Sequence, residues 1–246
     1  MTDGLAPADL ALLGIAAVFI GVAKTAVPGF ASLSIALFAT VLPARESTGA
    51  ILPLLMAGDV LGLAVYRRDA DRPTLVRLML PIAVGVLVGV GFVYVADDVV
   101  MSRSIGVVLL VLVGVHLAAA RWRAEALAPT GRLASAGYGW LAGFTTMVAN
   151  AAGPVMSLYL LAAKLDKRTF LGTMAWFFAL VNLFKLPFSV GLGLITPDSL
   201  LLNAWLVPLV LVGGLVGRTV VSRISQALFE RLVLVFTVVA AVNLVW

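Results

Sequence analysis

Cysteine is absent from this 246-residue chain and histidine occurs once, at His116. Without thiols there can be no disulfide framework, no thiolate zinc site and no cysteine nucleophile. Charge is also scarce: Asp, Glu, Lys and Arg make up 12% of residues, against roughly 25% in soluble domains. No glycine-rich nucleotide loop, no His/carboxylate cluster at metal-ligand spacing and no nucleophile beside a base can be found. The sequence therefore points away from an enzyme, and it implies no metal and no cofactor. The net charge of +5 lies in short clusters between apolar runs, which suits loops on an anionic lipid surface better than a nucleic-acid interface. No nucleic-acid partner is expected.

What the chain has in excess is apolar surface, at 62% of residues against roughly 45–50% in soluble proteins. Several stretches run long enough without charge to cross about 30 Å of hydrocarbon at about 1.5 Å per helical residue. The fold class expected is an all-α polytopic membrane protein embedded in a lipid bilayer. Arg outnumbers Lys thirteen to four beside abundant Ala, Leu, Val and Gly, a composition that suits a bacterial inner membrane. The opening Met1-Thr2-Asp3-Gly4 has no basic region before the first apolar run, so that run is expected to stay as a helix and not to act as a signal peptide.

Six segments read as ordinary transmembrane helices: 46–66, 75–95, 103–120, 169–190, 198–217 and 228–245. Segments 9–42 and 135–164 are different. Each would measure about 45–50 Å as one straight helix, and each is interrupted by a polar Gly/Pro patch. The first interruption is Lys24-Thr25-Ala26-Val27-Pro28-Gly29 and the second Asn150-Ala151-Ala152-Gly153-Pro154. Proline ends a preceding helix and is well tolerated in the first turn of a new one. Each segment is therefore expected to be two shorter helices meeting at a break.

An ordered internal match sets residues 10–120 against 135–246. Gly21 falls opposite Gly143, Pro28 opposite Pro154, Arg45 and Gly49 opposite Arg168 and Gly172, and Asp59 opposite Asn182. Gly85 and Gly89 fall opposite Gly213 and Gly217, and His116 opposite Asn243. Charge then orients the pieces. Basic loops occur at Arg67-Arg68-Arg72, Arg121-Arg123-Arg132, Lys164-Lys167-Arg168 and Arg218-Arg223-Arg231. The N-terminus and the loops around Asp97-Asp98 and Asp198 are acidic or poor in Lys and Arg. If each broken segment crossed once, the basic loops would be split between both sides, against the positive-inside rule. If each is a hairpin that returns to its side of entry, all basic loops share one side. The expected organisation is thus two inverted-topology repeats, each a broken re-entrant helical hairpin plus three transmembrane helices. The first repeat is 1–120, the cytoplasmic linker 121–134 and the inverted second repeat 135–246, with both termini on the periplasmic side.

Broken helices at membrane depth are tolerated where protein or water surrounds them, so both breaks should face a shared cavity. The second half-helix of each hairpin offers N-terminal amides and partial positive charge, which favour an anion. Gly29 and Gly153 lie at these starts, and Ser32 and Ser157 could add hydroxyl donors; Pro28 and Pro154 are expected only to shape the turns. Lys24, with Thr25 beside it, lies deep in the first hairpin, where an ammonium costs at least about 2.5–3.5 kcal/mol unless it reaches water, a counter-ion or a substrate. It either serves substrate or a gating ion pair, or snorkels to headgroups. Asp59, near the middle of its helix, is a proton-coupling site or the ion-pair partner of Lys24 or Lys185. Asn182, Lys185 and Ser189 share one helical face, with snorkelling open to Lys185. Asn150 bonds freed backbone or substrate. His116 fits packing better than proton relay.

The duplicated Gly-x6-Pro-Gly and Gly-x10-Pro hairpins, spread over two four-segment halves, resemble the TauE/SafE family of sulfite and sulfonate exporters across essentially the whole chain. The chain departs from the family's glycine-rich pattern at Ala23-Lys24-Thr25-Ala26-Val27 and Val148-Ala149-Asn150-Ala151-Ala152. The resemblance implies a secondary transporter of a small anion such as sulfite, thiosulfate or an organosulfonate. Two rivals from other classes are a proton- or cation-coupled carrier of a non-anionic solute using Asp59, and a non-transporting membrane assembly protein.

Overall fold

The structure, a computed structural model, describes residues 6–42, 44–95, 97, 99–100, 131–229, 231–232 and 235, with side chains at 44 and 45 left aside. Among these residues there is no strand. Eight helices of ten residues or more follow in order: α1 (Pro7–Thr25), α2 (Phe30–Val41), α3 (Ala44–Tyr66), α4 (Arg72–Val95), α5 (Arg132–Ala149), α6 (Ala152–Ala162), α7 (Lys167–Gly191) and α8 (Pro197–Arg223). The expected helix 103–120, His116 and most of 121–134 and 228–245 fall outside the described residues. Five helices, α1, α3, α4, α7 and α8, are long and apolar enough to cross a membrane. The protein is an all-α polytopic membrane protein.

Helix ends follow local chemistry. The Asp9 carboxylate accepts the Ala6 amide at 3.0 Å, closing the start of α1. Asp166 caps α7 by accepting the Arg168 and Thr169 amides at 3.0 and 3.2 Å. The Thr169 hydroxyl beside it, foremost, holds the Asp166 carboxyl below the usual carboxylate range. Thr196 and Ser199 bond each other's amides in a reciprocal box at the start of α8. The Asp166 cap starts α7 two residues earlier than hydropathy alone indicated, α3 and α4 start two and three residues earlier, and α8 runs six residues further, to Arg223. Polar caps and a basic last turn lie outside the apolar window that a hydropathy reading detects.

Both predicted breaks are present. α1 ends at Thr25 and α2 starts at Phe30; α5 ends at Ala149 and α6 starts at Ala152. The chain doubles back at each. The Ser34 hydroxyl on α2 donates to the Ala16 carbonyl on α1 at 2.9 Å, and the Phe19 and Phe30 rings meet edge-on at 5.2 Å. In the second pair, Ser135 and Tyr159 hydroxyls are 3.0 Å apart and the Tyr138 and Tyr159 rings 5.6 Å apart. Each pair has a long arm, 19 and 18 residues, and a short arm, 12 and 11 residues. α6 is apolar all round and buried from Ala152 to Leu160, the expected position of a helix without a polar face.

Glycine sets the tightest helix contacts. A Cβ at Gly21 would run into the Val210 carbonyl and the Gly214 amide, so α1 lies directly on the backbone of α8; a Cβ at Gly213 would meet the Val18 carbonyl from the other side. The α4–α5 contact is built the same way, with Gly85 against the Trp140 carbonyl and Gly143 against the Ile82 carbonyl. Small residues let backbones approach where lipid offers no hydrophobic drive to associate. α3 and α7 pack between these two pairs.

The described basic segments gather at one end. The Trp176 indole donates to the Arg67 carbonyl at 3.0 Å and the Asp71 amide to Thr173 at 2.9 Å. The Lys167 ammonium donates to the Val221 and Ile224 carbonyls at 2.8 and 2.7 Å. Arg72, Arg77 and Arg132 line one surface cleft at this end.

Candidate functional site

α3 and α7 carry the polar residues that meet the two breaks. The Lys24 ammonium, in the last turn of α1, lies 2.7 Å from Asp59 Oδ1. The other carboxylate oxygen accepts from the Asn182 amide at 2.6 Å. Lys24 is 7% and Asp59 3% exposed. Gly58 makes the pair possible, because a Cβ there would stand 2.8 Å from Lys24 Cγ. The ammonium also sits 3.8 Å from the centre of the Phe178 ring, whose negative face favours a cation.

The second lysine occupies a different surrounding. Lys185 is 2% exposed and does not snorkel. Its ammonium donates to the Thr146 carbonyl at 2.9 Å, to the Thr146 hydroxyl at 3.2 Å and to the Asn150 side-chain oxygen. No carboxylate pairs with it among the described residues. The C-terminal end of α5 supplies partial negative charge, about half an elementary charge. Asn150 adopts a left-handed conformation, φ 55°, which asparagine tolerates better than most residues; this turns the chain out of α5. Its amide nitrogen donates to the Thr48 carbonyl on α3 at 3.0 Å.

The breaks touch. Gly153 faces Phe178 and the Pro28 carbonyl, at 3.7 and 3.9 Å from the position a Cβ would take. Each long arm nevertheless runs past the middle of α3. The Tyr66 hydroxyl, at one end of α3, donates to the Thr25 carbonyl at 2.7 Å, whereas Asn150 bonds Thr48 near the other end. The two lysine centres therefore lie at different depths, joined by Asp59 and Asn182. Beside the Lys24–Asp59 pair, bounded by Pro28, Met174 and Phe178, is a cavity of about 10 Å³, room for about one water.

Not every predicted residue enters this cluster. The Thr25 hydroxyl donates to the Gly21 and Gly214 carbonyls at 3.0 and 2.9 Å, a contact between α1 and α8. Ser32 and Ser157 are buried in their short arms. The first amides of α2 are not free: Phe30, Ala31 and Ser32 donate to the carbonyls of Val27, Pro28 and Gly29. Ser189 is buried on the same face as Asn182 and Lys185. Two members of the cluster were not anticipated, Thr146 and Phe178. The internal match held a signal for Thr146: the register that sets Gly21 opposite Gly143 sets Lys24 opposite Thr146. Phe178 carried none, being one of 12 phenylalanines.

The arrangement holds two buried lysines, one buried carboxylate and two side-chain amides, Asn150 at a helix break and Asn182 within α7, without a nucleophile or, among the described residues, a metal-ligand cluster. A family model described as sulfite exporter TauE/SafE matches residues 13–244. The chain belongs to the TauE/SafE family. It is accordingly a multi-pass membrane anion transporter and not an enzyme. No curated protein and no solved structure matches the chain.

Proposed function

We propose that this TauE/SafE protein is a secondary transporter of a small sulfur oxyanion or organosulfonate, bound between the two helix breaks and moved by alternating access. The observation that carries the reading is the charge of the centre. Lys24 and Asp59 neutralise each other, and Lys185 is left with neutral oxygens and a helix end. A buried cation lacking a full counter-charge is unfavourable in hydrocarbon, and an anion supplies what is missing. Asn150 and Asn182 would orient it, and Gly29, Gly153, Ser32 and Ser157 line the short arms from which further donors would come when the breaks separate.

A one-water cavity holds no sulfite, so the conformation described here corresponds to a closed, unloaded carrier. Opening would part the breaks at Pro28 and Gly153. The like-built α1–α8 and α4–α5 contacts support two inverted repeats with re-entrant hairpins, 1–120 and 135–246 about the linker 121–134, and such repeats rock against one another in secondary transporters. The gathering of basic loops at one end supports placing that end in the cytoplasm of a bacterial inner membrane and both termini on the opposite side.

Uptake of labelled sulfite into proteoliposomes tests the proposal. Saturable uptake is expected, and Lys24→Met and Lys185→Met should each lower it about 10–100-fold, the value of one charge-assisted contact of about 1.5–3 kcal/mol. Wild-type rates in both variants would remove the basis for the proposed site.

A further inference from the structure

The hydrogen bonds around Lys185 suit two protonation states equally. As an ammonium it has three donors, and it meets three oxygens: the Thr146 carbonyl, the Thr146 hydroxyl and Asn150 Oδ1. As a neutral amine it has two donors and a lone pair. The carbonyl and the amide oxygen accept only, so they take the two donors, while the Thr146 hydroxyl can turn and donate to the lone pair. Neither state leaves a buried polar atom unsatisfied. Lys24 has no such freedom, because Asp59 pairs with it.

Charge arithmetic gives that freedom a use. With all three groups ionised, the unloaded centre carries one uncompensated positive charge, and a bound monoanion brings it to zero. An unloaded centre without the Lys185 proton is also zero. We propose that Lys185 is a proton carrier: it takes up one proton as the anion binds and gives it up when the anion leaves, so that anion and proton move together and the empty carrier returns uncharged. The proposal rests on the anion-transport reading above and specifies its coupling. The step balances as R–NH2 plus H+ going to R–NH3+, with water on the open side as proton donor and, after release, acceptor.

The charged groups acting on Lys185 are Lys24 from α1 and Asp59 from α3, and as a pair they largely cancel. α4 keeps Arg72, Arg77 and Tyr94 exposed, as α5 does Arg132. Tyr138 on α5 packs at a tilt against Tyr159 of α6, which is joined to Ser135 near the start of α5, away from the break. Asp9 on α1 caps its own helix start, Glu46 on α3 is exposed and Tyr66 on α3 bonds the Thr25 carbonyl, so among the described groups the proton of Lys185 answers to the anion.

Lys185→Arg tests this, since a guanidinium keeps its charge at every accessible pH. In proteoliposomes the variant is read by the ratio of its net sulfite uptake to its own exchange of labelled for unlabelled sulfite, because exchange never requires the empty carrier to return. That ratio should fall at least about tenfold from the wild-type value, equivalent to about 1.4 kcal/mol. A second measurement uses the wild type alone. Methanesulfonate is a monoanion that stays fully deprotonated near neutral pH and cannot carry the proton itself, so its uptake should acidify a vesicle lumen containing a pH dye. A wild-type ratio of net uptake to exchange in Lys185→Arg overturns the proposal, as does wild-type methanesulfonate uptake without acidification. If the arginine variant fails to exchange at all, the methanesulfonate measurement decides. A wild type that moves neither anion would overturn the anion reading itself, which distinguishes that failure from a failure of the coupling alone.

Discussion

A buried ion pair is costly to break on one side only. Removing one partner from such a pair typically costs about 3–5 kcal/mol, because the other charge stays behind without compensation. Asp59→Ala should therefore lower thermal stability in detergent by an amount in that range, and the double variant Lys24→Met/Asp59→Leu should recover most of it. A double variant no more stable than the single one would mean that the pair contributes something beyond charge balance. Gly58→Val offers a milder probe: its side chain would enter the space of the Lys24 stem, so sulfite uptake should fall while Asp59 is untouched. At this scale the sequence was informative about which residues are unusual and less so about their partners. Lys24, Asp59, Asn182 and Lys185 stand out because charge and amides are rare in apolar runs. That Asp59 pairs with Lys24 and not with Lys185 depends on a hairpin tip reaching the level of Gly58, and no local pattern encodes that depth. Thr25 illustrates the converse. Its hydroxyl looks like a site group in sequence and is used at a helix crossing.

Helix crossings in this molecule are made at glycines, and their tolerance should vary with the backbone opposite. Gly21→Leu and Gly143→Leu would drive side chains into the carbonyls of α8 and α4. Each should cost about 1–3 kcal/mol or more, read as a lowered thermal midpoint and loss of monodisperse protein. Gly91, with nothing within 4 Å of the position a Cβ would take, makes the contrast: Gly91→Ala should be neutral or stabilise by about 0.5–1 kcal/mol. Equal sensitivity at Gly21 and Gly91 would contradict the packing described. The helix breaks were legible in sequence because proline and glycine interrupt otherwise continuous apolar runs. The unequal arms were not, since where a helix starts in an apolar run is set by caps and by the helix it lies against. The engaged amides of α2 were hidden for the same reason: a tight turn consumes them, and turn tightness is a backbone property.

At the scale of the whole molecule, the absence of cysteine turns topology into a direct measurement. Single cysteines at Arg68 and Lys164 should be shielded from a membrane-impermeant maleimide in intact cells and labelled after permeabilisation. A cysteine at Gly193, in the α7–α8 loop, should be labelled in both. The opposite pattern would invert the orientation, and a mixed pattern would exclude the returning hairpins. Loop charge alone was enough to group the basic segments, and the contacts among residues 66–72, 167–176 and 221–226 bring them to one end. The order in which the helices pack was less accessible. α1 lies on α8 and α4 on α5, so each long arm rests on a helix distant in sequence, and such pairings leave little trace in any one segment.

The cavity beside Lys24 and Asp59 has a consequence for the energy supply of a cell. Protons hop along an unbroken file of waters, and at this point there is room for about one. Phe178 and Pro28 border that cavity, and Gly153 packs against both. With the proton coupling proposed above, a carrier resting in this state would not short-circuit the gradient that drives it. Replacing Phe178 with Ala should open that path, and the cost would be measured as a passive proton leak in vesicles holding no substrate at all.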